Sequence, residues 1–237
     1  MEEKTILLVT QNQHKVEEIS AMLSRLATES TSAFRILSLK ALSKVPLILE
    51  KGETFRENSF SKNASLLSWF FSQGIEELWK VFPLGRGYLL SDDSGLEVDA
   101  LGGAPGIYSA RYAALESGQQ SNSTDSSNNA KLLRDLEEVP PCKRNARFCC
   151  VLALTEVEVN ADMEDLLERT EFFEGVCEGK IDMEPHGKNG FGYDPLFIPE
   201  GYQVSFAELG EDVKNHISHR SRALRSFVQF FAQLTKN

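Results

Sequence analysis

The chain has 237 residues, of which 41% are hydrophobic and 25% charged, and its formal net charge at pH 7 is −10. This length suits one or two domains and supports a core that needs no disulfide staples, and the composition excludes disordered, fibrous and membrane-spanning classes. The acidic balance disfavours a broad nucleic-acid footprint but leaves room for a small phosphorylated ligand, met by isolated lysines and a divalent metal.

Met1-Glu2-Glu3-Lys4 leads into a short apolar run, which reads as an uncleaved strand rather than a signal peptide. Thr5 to Val9 is expected as that buried strand. A helix follows, with Val16, Ile19, Met22, Leu23 and Leu26 on one face. Strand, polar turn and helix open an α/β unit. Phe34 to Leu39 is a second strand, and Thr54-Phe55-Arg56-Glu57 is a capping box that starts a helix reaching about Gln73. Tyr88-Leu89-Leu90 is a short strand expected to end abruptly at Ser91-Asp92-Asp93-Ser94-Gly95.

Gly102 to Gly106 is a loop. Ser117 to Asn129, rich in Ser and Asn, reads as a mobile surface loop, with a helix from about Ala130 to Glu138. Phe148 to Leu154 is a strand. The acidic stretch Thr155 to Arg169 reads as a solvated insertion, and Glu171 to Val176 returns as another strand, giving a long antiparallel hairpin. Glu184 to Asp194 is a Gly-rich loop. The final helix carries Leu224, Phe227, Phe231 and Leu234. No repeat or linker divides the chain, so residues 1–237 are read as one domain. The four cysteines form no CxxC pair, and Cys149 and Cys150 lie in an apolar run, which points to a reducing, cytoplasmic setting.

Four constellations carry possible chemistry. Thr10-Gln11-Asn12-Gln13-His14-Lys15 lies between a strand and a helix, where free N–H groups and the dipole attract phosphate. It lacks the glycines of a Walker loop, and taken alone it reads first as an ordinary helix cap at Asn12. Asp92-Asp93-Ser94-Gly95 follows a strand, where one carboxylate could hold a metal or activate water. The same residues also suit a plain turn. Gly190-Phe191-Gly192-Tyr193-Asp194-Pro195 lets backbone approach a flat ligand, or is simply a glycine-rich turn. Lys214-Asn215-His216-Ile217-Ser218-His219-Arg220 is expected to open the final helix, with His219 and Arg220 free to donate to carbonyl or phosphate oxygens. Taken alone the segment reads first as a solvated helix start, although a basic first turn opposes the helix dipole and so argues mildly for an external anionic or carbonyl partner.

Together, and in this order, the segments TQNQHK (10–15), GETFRENSFSKNA (52–64), SDDSGLEVDALGGAPGIYSARYA (91–113), GKNGFGYDPLF (187–197) and ISHRSRAL (217–224) resemble the inosine triphosphate pyrophosphatase family, also called Ham1-like. The resemblance implies an α/β fold: an elongated mixed β-sheet flanked by helices, with two lobes around a nucleotide-binding cleft, usually paired as a homodimer. It implies Mg2+-dependent hydrolysis of deaminated purine triphosphates (ITP, dITP, XTP) to the monophosphate and pyrophosphate, which cleanses the nucleotide pool. The substrate is then a small-molecule nucleoside triphosphate, with neither nucleic acid nor membrane as partner.

By that resemblance the loop Thr10, Gln11, Asn12, Gln13, His14 and Lys15 contacts phosphate, although Gln11 stands where the family usually has glycine. Glu50 matches a metal-associated carboxylate, and Lys62 a lysine directed at the triphosphate. Asp93 matches a proton acceptor that also touches the metal, and Ser94 a neighbouring substrate contact. Phe191, Gly192, Tyr193 and Asp194 match the segment that sandwiches the base, and Lys214, His219 and Arg220 the set that reads its carbonyl. The readings that compete with this one are a house-cleaning pyrophosphatase of different base preference and a non-catalytic nucleotide sensor. A Ser94 nucleophile lacks a GxSxG elbow or a placed His.

Overall fold

The computed structural model describes residues 3–30, 33–48, 50–118 and 121–234. Its strands are β1 (Lys4–Leu8), β2 (Phe34–Ser38), β3 (Arg86–Val98), β4 (Asn145–Glu158), β5 (Glu171–Ile181) and β6 (Phe197–Pro199). Its helices are α1 (Gln13–Ser30), α2 (Phe55–Ser72), α3 (Ile75–Val81), α4 (Asp125–Asp135), α5 (Met163–Glu168), α6 (Phe206–Ile217) and α7 (His219–Leu234). The strands form a six-stranded mixed sheet in the order β2-β1-β3-β4-β5-β6, flanked by the helices. β1 pairs in parallel with β2 and β3, and β5 pairs antiparallel with β6. This is the α/β class expected from the opening strand-turn-helix.

The chain divides into two compact units. Unit 1 comprises 1–93, 151–174 and 223–237, and unit 2 comprises 94–150 and 175–222. The chain passes from one unit to the other inside β3, β4, β5 and α7.

In unit 1, Ile6, Leu7 and Leu8 of β1 are wholly buried, as expected of an internal parallel strand. On α1, Ile19, Met22, Leu23 and Leu26 form the buried stripe that the sequence shows. α2 starts at Thr54, whose hydroxyl accepts from Glu57 N (3.1 Å). The Glu57 carboxylate accepts from Glu53 N rather than from the cap residue, so the capping box is not reciprocal. The buried face of α2 is apolar at Leu66, Leu67 and Phe70 but polar one turn earlier, at Asn58, Ser59, Lys62 and Asn63. Asn63 Nδ2 donates to Leu89 O (3.3 Å), Ala153 O (2.9 Å) and Thr155 Oγ1 (3.0 Å), tying the helix to β3 and β4. Unit 2 has its own core, built from Leu96, Val98, Leu132, Leu136, Phe148, Tyr193, Phe197 and Phe206 among others.

Several expectations are corrected. β3 does not stop at Ser91 but runs to Val98. Aspartate is a poor strand former, yet Ser91, Asp92 and Asp93 each find a partner from outside the strand. Ser91 Oγ donates to Ser59 O (2.6 Å), and lysines meet both carboxylates. The Ser117–Asn129 stretch is not all loop, because α4 begins at Asp125, capped by Thr124 whose hydroxyl accepts from Ser127 N. The acidic Thr155–Arg169 stretch is not a solvated insertion. β4 continues to Glu158, with Thr155 and Val157 buried between outward glutamates, and α5 buries Leu166. Lys214 does not open the last helix but sits in the last turn of α6, which Ser218 ends before α7 begins at His219.

Replacing Asn63 with Ala leaves two buried carbonyls and the Thr155 hydroxyl without their shared donor. Urea unfolding is expected to show a loss of about 2–4 kcal/mol. A loss under about 0.5 kcal/mol would contradict the anchoring role given to this amide.

Candidate active site

In unit 1 the chemistry-bearing side chains gather around β3. Consecutive strand residues point to opposite faces, and Asp92 and Asp93 use that alternation to meet different lysines. Lys15, in the first turn of α1, donates to Asp92 Oδ1 (2.5 Å). Lys62, on the polar face of α2, donates to Asp93 Oδ1 (3.1 Å) and to the Asp92 carbonyl (2.9 Å), and pairs with Glu50 Oε1 (2.9 Å). Lys62, Asp92 and Asp93 are all buried.

Glu50 reaches Lys62 from the segment before α2. That segment is held by Gly52, whose N–H donates to Asn58 Oδ1 (2.8 Å). A Cβ at position 52 would lie 2.5 Å from Glu57 Cβ, so the close approach requires glycine.

The first loop is organised as a helix cap. Asn12 Oδ1 accepts from Lys15 N (3.2 Å), and Thr10 Oγ1 accepts from Asn12 N (3.2 Å). Gln11, Asn12, Gln13 and His14 are exposed, and Gln13 Nε2 donates to Glu17 (3.0 Å).

Three carboxylates thus face two lysines, an excess of one negative charge. Burial disfavours the Lys62 ammonium, but Asp93, Glu50 and Asp92 outweigh it and hold its pKa above the ordinary 10.5. Burial also pushes Asp93 above the ordinary 3.8. Lys62 and Lys15 pull the other way without reversing it, and the Glu50 charge adds to the rise. Asp93 Oδ2 is buried with no hydrogen-bond partner.

That unpartnered oxygen, with the Glu50 carboxylate paired to the same lysine, suits a hard cation. Among the described residues no group of three or more His, Cys, Asp or Glu side chains is arranged to hold a metal. Two carboxylates are nevertheless enough for Mg2+, which is typically held by one or two of them plus substrate phosphates.

Unit 2 begins at Ser94. Arg220, in the first turn of α7 and 1% exposed, donates to Ser94 Oγ (2.9 Å). His219 beside it is buried and stacked on Phe148, with ring centroids 4.9 Å apart and planes 13° from parallel. The 190–194 segment is tied to Asp194, whose Oδ2 accepts from Phe191 N (2.9 Å) and from Lys214 Nζ (2.5 Å). Lys214 Nζ also sits 4.5 Å from the Phe191 ring centroid, a cation–π contact. Gly190 has φ +76°, and a Cβ there would lie 2.1 Å from Asp194 Oδ2. Tyr193 is buried in the unit 2 core, where its hydroxyl donates to Ser109 O (2.9 Å).

Within unit 1 the structure therefore brings together Lys15, Lys62, Asp93 and Glu50. Within unit 2 it brings together Phe191, Asp194 and Lys214, and separately pairs Ser94 with Arg220. Asp92, which the sequence offered beside Asp93 without a role of its own, is the partner of Lys15. Two other residues that reach these clusters were passed over in the sequence. Asp125 and Asn129, from the stretch read as a loop, bond the backbone of Gly192. The i, i+4 spacing of the latter two before buried Leu132 and Leu136 is the signal that could have revealed them.

The sequence profile described as the Ham1 family matches residues 6–230. A protein named dITP/XTP pyrophosphatase from Opitutus terrae is 39% identical over 223 residues, covering 94% of this chain and 96% of the relative. One of the same name from Clostridium perfringens is 41% identical over 221 residues, with 93% and 94% covered. The solved structure of a HAM1 protein from Coxiella burnetii superposes with a TM-score of 0.73 at 34% identity, covering 97% of this chain and 99% of that one.

A carboxyl group whose pKa is raised by folding binds its proton more tightly in the folded state. Its favourable contribution is complete below the unfolded value and is lost as pH rises through the folded value. Asp93→Asn removes that loss while still accepting from Lys62. In metal-free buffer the variant should match the wild type in thermal stability at acid pH and exceed it at neutral pH. Equal stability at both pH values, or a less stable variant at neutral pH, would contradict the raised Asp93.

Proposed function

This chain belongs to the Ham1 family, and we propose that it hydrolyses nucleoside triphosphates to the monophosphate and pyrophosphate, preferring deaminated purines such as dITP, XTP and ITP. The observation that carries the reading is the unit 1 cluster: a buried carboxylate with one unpartnered oxygen, beside a buried lysine held in its charged form. The names of the relatives support the same activity.

The reaction needs little covalent work from the protein, so positioning and charge neutralisation dominate. Water attacks the α-phosphorus, the bond from that phosphorus to the departing pyrophosphate breaks, and the proton of the water passes to Asp93. A carboxylate with a raised pKa is a stronger base than a free one. Lys62 stays charged and offsets the growing negative charge on phosphate oxygens. Lys15 is fixed by Asp92 at the N-terminus of α1, where backbone N–H groups add their own attraction for phosphate. Asp93 Oδ2 and Glu50 would hold Mg2+, which when bound neutralises charge on the triphosphate.

Base choice follows from donor count. Arg220 and Lys214 carry only donors. A 6-oxo purine offers an acceptor at that edge, whereas adenine offers an amino donor and would leave buried donors facing a donor. Sites built on hydrogen bonds reject such an analogue by up to about 10⁴-fold. Phe191, held by Asp194 and Lys214, supplies a flat apolar surface for the base. Action in the cytoplasm as a homodimer completes the proposal.

A panel of ITP, dITP, XTP, GTP, ATP and dCTP with Mg2+, scored for pyrophosphate release, tests this directly. The expected result is preference for the first three and a loss on the order of 10²-fold or more in Asp93→Asn. Preference for another base would move the chain to a different house-cleaning specificity. Tight binding of ITP without turnover would make it a sensor.

A further inference from the structure

The 190–194 segment is short, glycine-rich and without regular structure, yet to face a base it must hold Phe191 still. Two of the peptide units that define Phe191 are pinned. Its own N–H is held by Asp194. The next N–H, that of Gly192, is held from α4 by Asp125 Oδ2 (2.7 Å). The carbonyl of Gly192 accepts from Asn129 Nδ2 (3.0 Å). Asp125 and Asn129 stand four residues apart and so lie on one face of the helix. One helix face therefore grips both polar groups of a single glycine, fixing the peptide planes on either side of it.

We propose that Asp125 and Asn129 are positioning residues for base recognition, a clamp that sets the Phe191 platform through the Gly192 backbone. The proposal rests on the nucleotide reading above for what Phe191 contacts, but the clamp itself stands on distances within unit 2. The helix that carries it is well anchored. Thr124 caps it, and Leu132 and Leu136 bury its far end in the unit 2 core. Groups mounted on a packed helix hold tighter tolerances than groups on a loop. The orientation of the Asn129 amide is also set by this bond, because its Oδ1 is shielded with no hydrogen-bond partner of its own.

The bonding pattern makes the test selective. Asp125→Ala and Asn129→Ala each remove one grip. Each should raise KM for ITP by about 5–10-fold and cut the ITP-over-ATP preference at least as much, with kcat within about twofold, the pattern of lost binding rather than lost chemistry. Asp125→Asn retains an oxygen that accepts from Gly192 N–H and should recover most of the wild-type KM. Asn129→Asp has no donor and should behave like Asn129→Ala. Unchanged KM and preference in both alanine variants would overturn the clamp, and so would a kcat that falls together with melting temperature.

Amide hydrogen exchange across residues 190–194 separates the two layers of the argument. Faster exchange at Gly192 in Asp125→Ala than in the wild type is expected. Equal exchange removes the clamp whatever the enzyme does. A wild type that hydrolyses no nucleoside triphosphate, with the exchange difference intact, would sink the pyrophosphatase reading and leave the clamp standing as a property of the fold.

Discussion

The organising constraint of this molecule is a buried lysine shared by carboxylates that outnumber their cations. Removing an ion from water costs several kcal/mol even after the protein relaxes around it, and unit 1 does this to Lys62, Asp92 and Asp93 together. The arrangement is tolerable only because α1, α2, β3 and the segment carrying Glu50 each deliver a charge to the same place. An apolar filling of that volume would serve stability as well or better. The charges make sense as a site prepared for a ligand that brings its own, as the proposed triphosphate with a divalent cation would.

The second cluster obeys a different rule. In unit 2 the buried cations Lys214 and Arg220 donate to Asp194 and to the Ser94 hydroxyl, and Lys214 also lies against the Phe191 ring. The surroundings hold their donors in fixed directions rather than concentrating charge. The chain leaves the first cluster at Asp93 and enters the second unit at Ser94, consecutive residues of a single strand.

Much of this was legible in the sequence where the pattern is local. The unbroken apolar run at Ile6 to Leu8 and the 3–4 spacing on α1 gave β1 and α1 with their buried faces, because the periodicity records burial directly. Thr54 marked the start of α2 for the same local reason. What was missed depends on partners far along the chain. Local sequence leaves Asp92 and Asp93 between a turn and a functional pair, and it does not show that β3 continues through them, because the Lys15, Lys62 and Ser59 contacts come from distant positions. The acidic residues 155–169 read as solvated on composition, although outward glutamates alternate with the buried Thr155 and Val157. No linker marks the two units, since every crossing lies inside β3, β4, β5 or α7. Asp93 and Lys62 were named from family resemblance, and the structure adds the reason they belong together, a buried ion pair in which Asp93 keeps one oxygen without a hydrogen-bond partner.

The central claim is that Asp93 prepares a water to attack the phosphorus nearest the sugar. Hydrolysis of XTP in ¹⁸O-labelled water, with the products resolved by mass spectrometry, tests it most directly. The account predicts the heavy oxygen in the monophosphate and unlabelled pyrophosphate. Label in the pyrophosphate, or release of orthophosphate, would contradict it.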